Sequence, residues 1–514
     1  MGRRIRWLGV IMVLCFGLVV VQLVNIQLVK AKQLSTSPMN PRNAALADQN
    51  ARGDIYAADG TVLAQSVPTP PGTTGYKYDY VRKYPDGPLY AGITGYDSAL
   101  YYGTSGIEGE YDSYLSAHQQ APQTLSQLLF RENPPEITDN VTLTVEPKLQ
   151  EAAWQALTTL PPGANNDGAV VVLDPKTGAV LAMVSNPTYD PNALVSTSLS
   201  AELLAHFSYT QKDHEGFFPL RPIATEEFFF PGSTMKVVTS SAAYNLKPSL
   251  ANFDYKVQLC QTFSDSNKPL CNDDGPCGGT MTIMLPASCD PGYAELGVQE
   301  GVSTLRQQAE LFGYNSVPGI DLPGVIASTL QTLPATAQAL QGYASIGQDV
   351  VETTALQNAM VAEGIANGGV VMTPHLMSSI TDSLGNLVTN YTPTDLPRSV
   401  SAATAQQVTS LMEGVATGGT AAGVFPTYLC AAVKTGTAQT GLGVNHDWMI
   451  GFAPANDPQI AVAVVVPYQY IGTDGAQVAG PIVRAVMEAA LPQGSVKQPC
   501  TVPPAPASAF TAGT

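Results

Sequence analysis

Apolar and polar positions divide this chain into segments of different period. Trp7 to Val29 is apolar apart from Gln22, Asn25 and Gln27, with Arg3, Arg4 and Arg6 ahead of it. Its length suits one bilayer crossing, and the arginines predict a cytoplasmic N-terminus with the rest of the chain outside. No small-x-small cleavage site follows, so the segment reads as an uncleaved anchor, not a signal peptide. Asn50 to Ala64 then reads as two short strands around an Asp59-Gly60 turn. A Pro-rich break at Pro68 to Gly72 follows, then a helix-like stretch ending at Leu129. Polar, Pro-bearing sequence from Glu132 to Asn140 reads as an interdomain linker.

A second unit opens with a strand, Val141 to Val145, and a helix from Pro147. Two β-branched runs, Gly168 to Leu173 and Ala179 to Val184, flank a Pro-x-x-Gly turn and predict a hairpin. An apolar, helix-compatible run extends from Ser233 to Leu246. Strands return at Leu429 to Val433, Trp448 to Ala453 and Ile460 to Val466, and a last helix runs from about Pro481 to Leu491. Strands at both ends around a helical middle predict an α+β domain with an antiparallel sheet assembled from both ends. The tail from Gln498, rich in Pro, Ala, Ser and Thr, is expected to be disordered.

At 514 residues the chain holds more than one domain. Its net charge of −17 excludes a nucleic-acid binder, which needs a basic face. Six cysteines lie beyond the apolar segment: Cys260, Cys271, Cys277, Cys289, Cys430 and Cys500. An even number outside the cell predicts disulfides. Cys260, Cys271, Cys277 and Cys289 are expected to staple the loop before Ser288. With no C-x-x-C pair and no nearby histidine, they are not expected to bind a metal.

The candidate chemistry centres on Ser233-Thr-Met-Lys236, which follows Phe228-Phe-Phe-Pro231-Gly232. On a helix, positions i and i+3 share a face. The hydroxyl can therefore meet the amine, and serine needs an adjacent base to become a nucleophile. Lysine serves as that base only where burial or its neighbours favour the neutral form. A second signal is Lys434-Thr435-Gly436-Thr437, placed at the end of the strand from Leu429. A cation beside two hydroxyls suits a carboxylate, and the glycine is expected to let substrate approach the strand edge. Lys176-Thr177-Gly178 has the same letters but fills a hairpin tip, so it reads as turn chemistry alone. Between the two signals lies Ser288-Cys289-Asp290. Glu108 and His446 read as structural contacts, and Phe228 to Phe230 as core packing.

Ser-x-x-Lys, a Ser-x-Asn-like element and Lys-Thr-Gly in this order form the set used by penicillin-binding proteins. Together with Arg52-Gly-Asp-Ile55, Gly106-Ile-Glu108, Ser185-Asn-Pro-Thr-Tyr-Asp-Pro191, Ser345-Ile-Gly-Gln348, Ala366-Asn-Gly-Gly369 and His446-Asp-Trp448, they resemble a class B penicillin-binding protein. The likeness is strongest to the actinobacterial penicillin-binding protein A type. It implies a transpeptidase fold like that of serine β-lactamases, with a five-stranded antiparallel sheet, helices on both faces and an all-helical region. A β-rich pedestal and one transmembrane helix would precede it. The implied divisions are 1–30 stub and anchor, 31–140 pedestal, 141–495 transpeptidase domain and 496–514 tail.

The implied activity is cross-linking of peptidoglycan stem peptides through a serine acyl-enzyme, with acylation by β-lactams. Ser233 is the implied nucleophile, Lys236 its base and Ser288 the proton relay. Lys434, Thr435, Gly436 and Thr437 would hold the substrate carboxylate, and the backbone N–H groups of Ser233 and Thr437 the oxyanion. No cofactor or metal is implied. The implied partners are stem peptides, β-lactams, the membrane through residues 7–29 and a membrane glycosyltransferase. A non-catalytic β-lactam-binding scaffold or sensor, a serine β-lactamase and a D,D-carboxypeptidase are the alternatives. Asp290 departs from the family pattern, since an ionised aspartate only accepts hydrogen bonds whereas asparagine also donates. It would also favour Lys236 as a cation, so Asp290 is expected to slow acylation or move its pH optimum.

Overall fold

A computed structural model describes residues 2–24, 50–73, 76–119, 136–160 and 164–496. Along the chain, helix α1 spans Gly2–Val24. The pedestal strands are β1 Ile55–Tyr56, β2 Val62–Pro68, β3 Tyr80–Lys83 and β4 Asp139–Leu143. Helix α2 Pro147–Thr158 leads to the hairpin β5 Gly168–Leu173 and β6 Val180–Asn186. The middle holds helices α3 Met235–Leu246, α4 Asp290–Glu300 and α5 Ala355–Ala366, then the hairpin β7 Met377–Asp382 and β8 Leu387–Asn390. Helix α6 Ala402–Gly418 precedes strands β9 Ala432–Gln439, β10 Val444–Ala453 and β11 Ile460–Tyr470, and α7 Ala479–Ala490 follows them.

The central sheet runs β6–β5–β11–β10–β9 with every pair antiparallel, so the two ends of the domain do meet in one sheet. All six residues of β5 are buried. A strand buried on both faces needs a continuous apolar run, which Gly168 to Leu173 supplies. Helix α5 covers one face, packing on β5, β10 and β11, while α2 and α7 pack together on the other. Burial explains why α5 carries no polar stripe: each residue from Ala355 to Ile365 is buried. Thr354 caps this helix by accepting from the Gln357 N–H.

The pedestal departs from the linear division read in the sequence. Its six-stranded sheet runs β8–β7–β4–β1–β2–β3. Strand β4, expected to open the second domain, instead pairs parallel with β1 and antiparallel with β7. The hairpin β7–β8, from deep within the second unit, completes this sheet. Pedestal and transpeptidase unit therefore share backbone hydrogen bonds, not merely a linker. A buried ion network locks the pedestal. Arg52 Nε and Arg82 Nε each lie 2.6 Å from the Glu108 carboxylate, and Arg52 Nη1 lies 2.6 Å from Asp112. Glu108 is fully buried. Burial alone would raise its pKa, but Arg82 and Arg52 outweigh this and hold it below the ordinary carboxylate value.

Residues 25–29 of the expected anchor lie outside the described residues, as do 120–135 and the tail from 497. Among the described residues, no helix is long and apolar enough to cross a membrane.

Candidate active site

The α-helix starts two residues later than the sequence pattern implies. Gly232–Thr234 form a single 3₁₀ turn, and α3 begins at Met235. Gly232 has φ +54 and its N–H donates to Gly347 O at 2.9 Å. Thr234 Oγ1 donates to Pro231 O at 2.8 Å and accepts from Asn358 Nδ2 at 3.2 Å. These bonds fix the turn that carries Ser233. Lys236 follows one turn later, fully buried, with Nζ 2.9 Å from Ser233 Oγ.

Two disulfides shape the opposite side, Cys260–Cys271 and Cys277–Cys289. The second places a covalent bond between Ser288 and Asp290 in the chain. Ser288 has φ +52, a left-handed conformation that is uncommon outside glycine and that surrounding structure must hold. The Asp290 N–H donates to Asn272 Oδ1 at 3.1 Å, from the loop between the disulfides. Lys236 Nζ then reaches Ser288 O at 2.6 Å, Ser288 Oγ at 3.2 Å and Asp290 Oδ1 at 2.5 Å.

The third element does not end a strand, as expected, but lies in the middle of one. All eight residues of β9 pair with β10, from Ala432↔Phe452 to Gln439↔Asn445. Lys434 is fully buried, and its Nζ donates to Ser288 Oγ and to Thr435 O, both at 2.9 Å. Gly436 serves the protein's own packing and not only access for substrate. A Cβ there would lie 2.9 Å from Pro231 O, Thr234 Cγ2 and Trp448 Cβ, so only glycine lets β9 rest on the catalytic turn. As β9 is the sheet edge, outward backbone groups remain available to an extended ligand.

A cleft of about 860 Å³ opens over these groups, and Ser233, Ser288, Asp290, Thr435 and Thr437 line it. Burial lowers the pKa of Lys236, and Asp290 and Asp274 partly oppose it. Burial lowers that of Lys434 well below the ordinary value, the Lys236 charge lowers it further, and Asp290 opposes. An ammonium has three donors and no acceptor, yet Lys236 faces four oxygens. In its neutral form the amine would keep two N–H donors and gain a lone pair able to accept the Ser233 proton. The arrangement can therefore activate Ser233 and pass a proton through Ser288.

Several residues that support the site were given no role by the sequence. Thr420, after α6, places its hydroxyl 2.7 Å from that of Thr435. Asn272 and Asn358 hold the two catalytic turns as described. The Trp448 indole N–H donates to Phe230 O at 3.0 Å, which ties β10 to the segment before Ser233. Phe229 is buried, as expected, whereas Phe230 lines the cleft and Phe228 is exposed. His446 is buried against Phe229 and Tyr468, and burial lowers its pKa to about 4. Lys176-Thr177-Gly178 forms a hairpin turn in which Thr177 Oγ1 donates to Asp174. Among the described residues, the cluster able to hold a metal ion is Asp167, Asp213 and Glu215, and none of these lines the cleft.

Comparison with known proteins agrees with this geometry. Residues 168–488 match the penicillin binding protein transpeptidase domain, and residues 52–135 the penicillin binding protein A dimerisation domain. The peptidoglycan D,D-transpeptidase PbpA of Mycolicibacterium smegmatis is 34% identical over 96% of this chain and 100% of its own. The Mycobacterium tuberculosis PbpA is 33% identical over 96% of this chain and 99% of its own. The penicillin G acyl-enzyme structure of penicillin-binding protein A from M. tuberculosis superposes with a TM-score of 0.75 at 33% identity. It covers 86% of this chain and 100% of that one. A Ser-x-x-Lys turn, Ser288 between Lys236 and Lys434, and a Lys-Thr-Gly strand on this fold, with that likeness along nearly the whole chain, make the protein a member of the class B penicillin-binding protein transpeptidase family.

Proposed function

We infer that this protein is a membrane-anchored peptidoglycan D,D-transpeptidase that forms a serine acyl-enzyme and is acylated by β-lactams. The observation that carries the reading is the convergence on Lys236: Ser233 Oγ, Ser288 Oγ and Asp290 Oδ1 all lie within hydrogen-bond reach of one buried amine. Ser233 Oγ attacks the carbonyl between the last two D-alanines of a stem peptide as its proton passes to Lys236. The proton then travels through Ser288 to the departing D-alanine amine. Lys434, Thr435 and Thr437 hold the terminal carboxylate of the donor. The N–H groups of Ser233 and Thr437 receive the oxyanion, where a single donor is worth about 3 kcal/mol to the transition state. An amine of a neighbouring stem attacks the ester, the new peptide bond forms and Ser233 regains its proton.

The anchor reading rests on the apolar run 7–29 and the arginines before it. The described part of that run, in α1, leaves Trp7, Val10, Ile11, Val13, Phe16 and Leu18 exposed, although α1 by itself is not long and apolar enough to cross a membrane. A membrane glycosyltransferase that supplies uncross-linked glycan is the partner class this reaction requires. Intact mass after penicillin treatment, with peptide mapping, tests the activity. A stable adduct on Ser233, absent from Ser233→Ala, is expected, and no adduct sinks the reading. Recovery of the protein in the soluble fraction of disrupted cells sinks the anchor alone.

A further inference from the structure

One wall of the cleft is held by a side chain that plays no part in the acyl-transfer steps. The loop from Ile471 to Gly475 follows β11, and Ile471, Gly472, Thr473 and Asp474 line the cleft. Its last residue touches the carboxylate-binding strand: the Gly475 N–H donates to Thr437 Oγ1 at 3.3 Å. Gly475 also lies flat on the sheet, since a Cβ there would overlap Trp448 O and Gly436 O. Any shift of this loop is felt at Thr437.

Thr473 fastens the loop. Its hydroxyl lies 2.7 Å from Asp447 Oδ2 and 2.8 Å from Tyr470 O, and Asn445 Nδ2 approaches Thr473 O at 3.5 Å. Asp447 sits directly across from Thr437 in the β9–β10 register. It is fully buried, and its Oδ1 has no hydrogen-bond partner. A buried carboxylate without a cation is costly, and an apolar side chain would fill the same space at a lower desolvation cost. What the carboxylate does that an apolar residue cannot is accept the Thr473 proton.

We propose that Asp447 is a positioning residue for the transpeptidase reaction: it clamps Thr473, seats the 471–475 loop against Thr437 and so sets the subsite for the substrate carboxylate. The inference rests on the transpeptidase reading above. Ionised, Asp447 draws the Thr473 proton away from Tyr470 O. Protonated, it can itself donate, and the Thr473 hydroxyl is released to Tyr470. Burial raises the Asp447 pKa to about 7, the Thr473 hydroxyl opposes it and the Asp474 charge adds a smaller rise, so both forms exist near neutrality. The groups that face it across the sheet are Thr437 on β9 and Val466 on β11, neither of which titrates there. Asp474 is the charged group on the loop. His446, its neighbour in β10, stays neutral in this range.

The test is penicillin acylation of the full chain, separated into pre-covalent binding and the acylation rate constant, across pH. Wild type, Asp447→Asn, Thr473→Val and Thr473→Ser are compared. Wild-type binding should tighten as pH rises through neutrality. Asp447→Asn and Thr473→Val should flatten that step and weaken binding about 3–10-fold, the worth of one hydrogen bond, with the rate constant unchanged. Thr473→Ser keeps the hydroxyl and should restore the step. Wild-type behaviour in both Asp447→Asn and Thr473→Val overturns the proposal, as does a loss confined to the rate constant. If Asp447→Asn does not fold, the Thr473 pair alone decides. A wild type that is never acylated removes the transpeptidase reading, whereas normal wild-type acylation with unaltered variants removes this inference only.

Discussion

Lys236 and Lys434 converge on one hydroxyl: their Nζ atoms lie 3.2 and 2.9 Å from Ser288 Oγ. Burial lowers the pKa of both amines. Two charges this close to a shared oxygen repel, so the pair carries fewer protons than two isolated lysines would. Ser288 has one proton and two lone pairs, which lets it accept from one amine while donating onward. In the proposed reaction Lys434 would gain a favourable partner when the substrate carboxylate arrives, and Ser288 would carry a proton from Lys236 to the leaving amine.

Breaking that route should cost what general acid–base assistance supplies. Ser288→Ala should lower the penicillin acylation rate constant by about 10²–10⁴-fold, and Lys236→Ala by at least as much. Stopped-flow acylation of the purified protein measures both. A Ser288→Ala rate within about threefold of wild type would remove the relay role, because that is well below the usual contribution.

The charge state of Lys236 sets the pH dependence. The reactive form is neutral, so acylation should rise with pH and level off once Lys236 has lost its proton. Because burial lowers the Lys236 pKa, that rise should come below the ordinary lysine value. Asp290 opposes burial, both by its charge and by its 2.5 Å contact. Asp290→Asn removes the opposition, so the rise should move to lower pH and acylation near neutrality should quicken. Rates with a fluorescent penicillin across pH, wild type against variant, decide this. Superimposable profiles would refute it.

The Cys277–Cys289 bond ties the disulfide-bearing loop to the residue between Ser288 and Asp290. A short closed loop of this kind typically adds about 2–4 kcal/mol of stability. Cys277→Ser with Cys289→Ser should therefore lower the melting temperature. It should also slow acylation, because the left-handed Ser288 loses a covalent neighbour that holds it. Thermal unfolding and acylation rates read the two effects separately. Unchanged acylation in a destabilised variant would confine the bond to a structural role.

The serine–lysine pair of the candidate site was legible in the sequence because it is local. Ser233 and Lys236 meet through helical spacing, and the hairpin β5–β6 declares itself through β-branched runs around Gly178. What was not legible is non-local. Lys434 to Thr437 reads as a strand end because glycine and threonine resemble turn residues, yet pairing with β10 carries the strand on to Gln439. The domain boundary near Asn140 reads as a linker because its residues are polar, yet β4 lies between β1 and β7 in the pedestal sheet. The alternation in Asn140 and Thr142, half-buried beside buried Val141 and Leu143, fits one covered face but does not say which partner covers it. Thr420 and Asn272 belong to no motif, and only the fold brings them to Thr435 and Asp290.

The pedestal network offers a control remote from the chemistry. Glu108 is fully buried and answers two arginines at 2.6 Å each. Glu108→Ala removes the carboxylate that buried Arg82 pairs with, while Arg52 keeps Asp112, and breaking a buried pair in this way costs about 3–5 kcal/mol. The folded-state pKa of Glu108 lies below its ordinary value, so its contribution is present above the unfolded carboxyl pKa and is lost as pH falls through the folded one. Denaturant unfolding at neutral and acid pH should therefore show a large gap between wild type and Glu108→Ala at pH 7 that narrows in acid. Acylation per folded molecule should stay at the wild-type level, since no atom of the network lines the cleft. A gap that persists undiminished in acid would mean that packing, and not the ion network, holds the pedestal together.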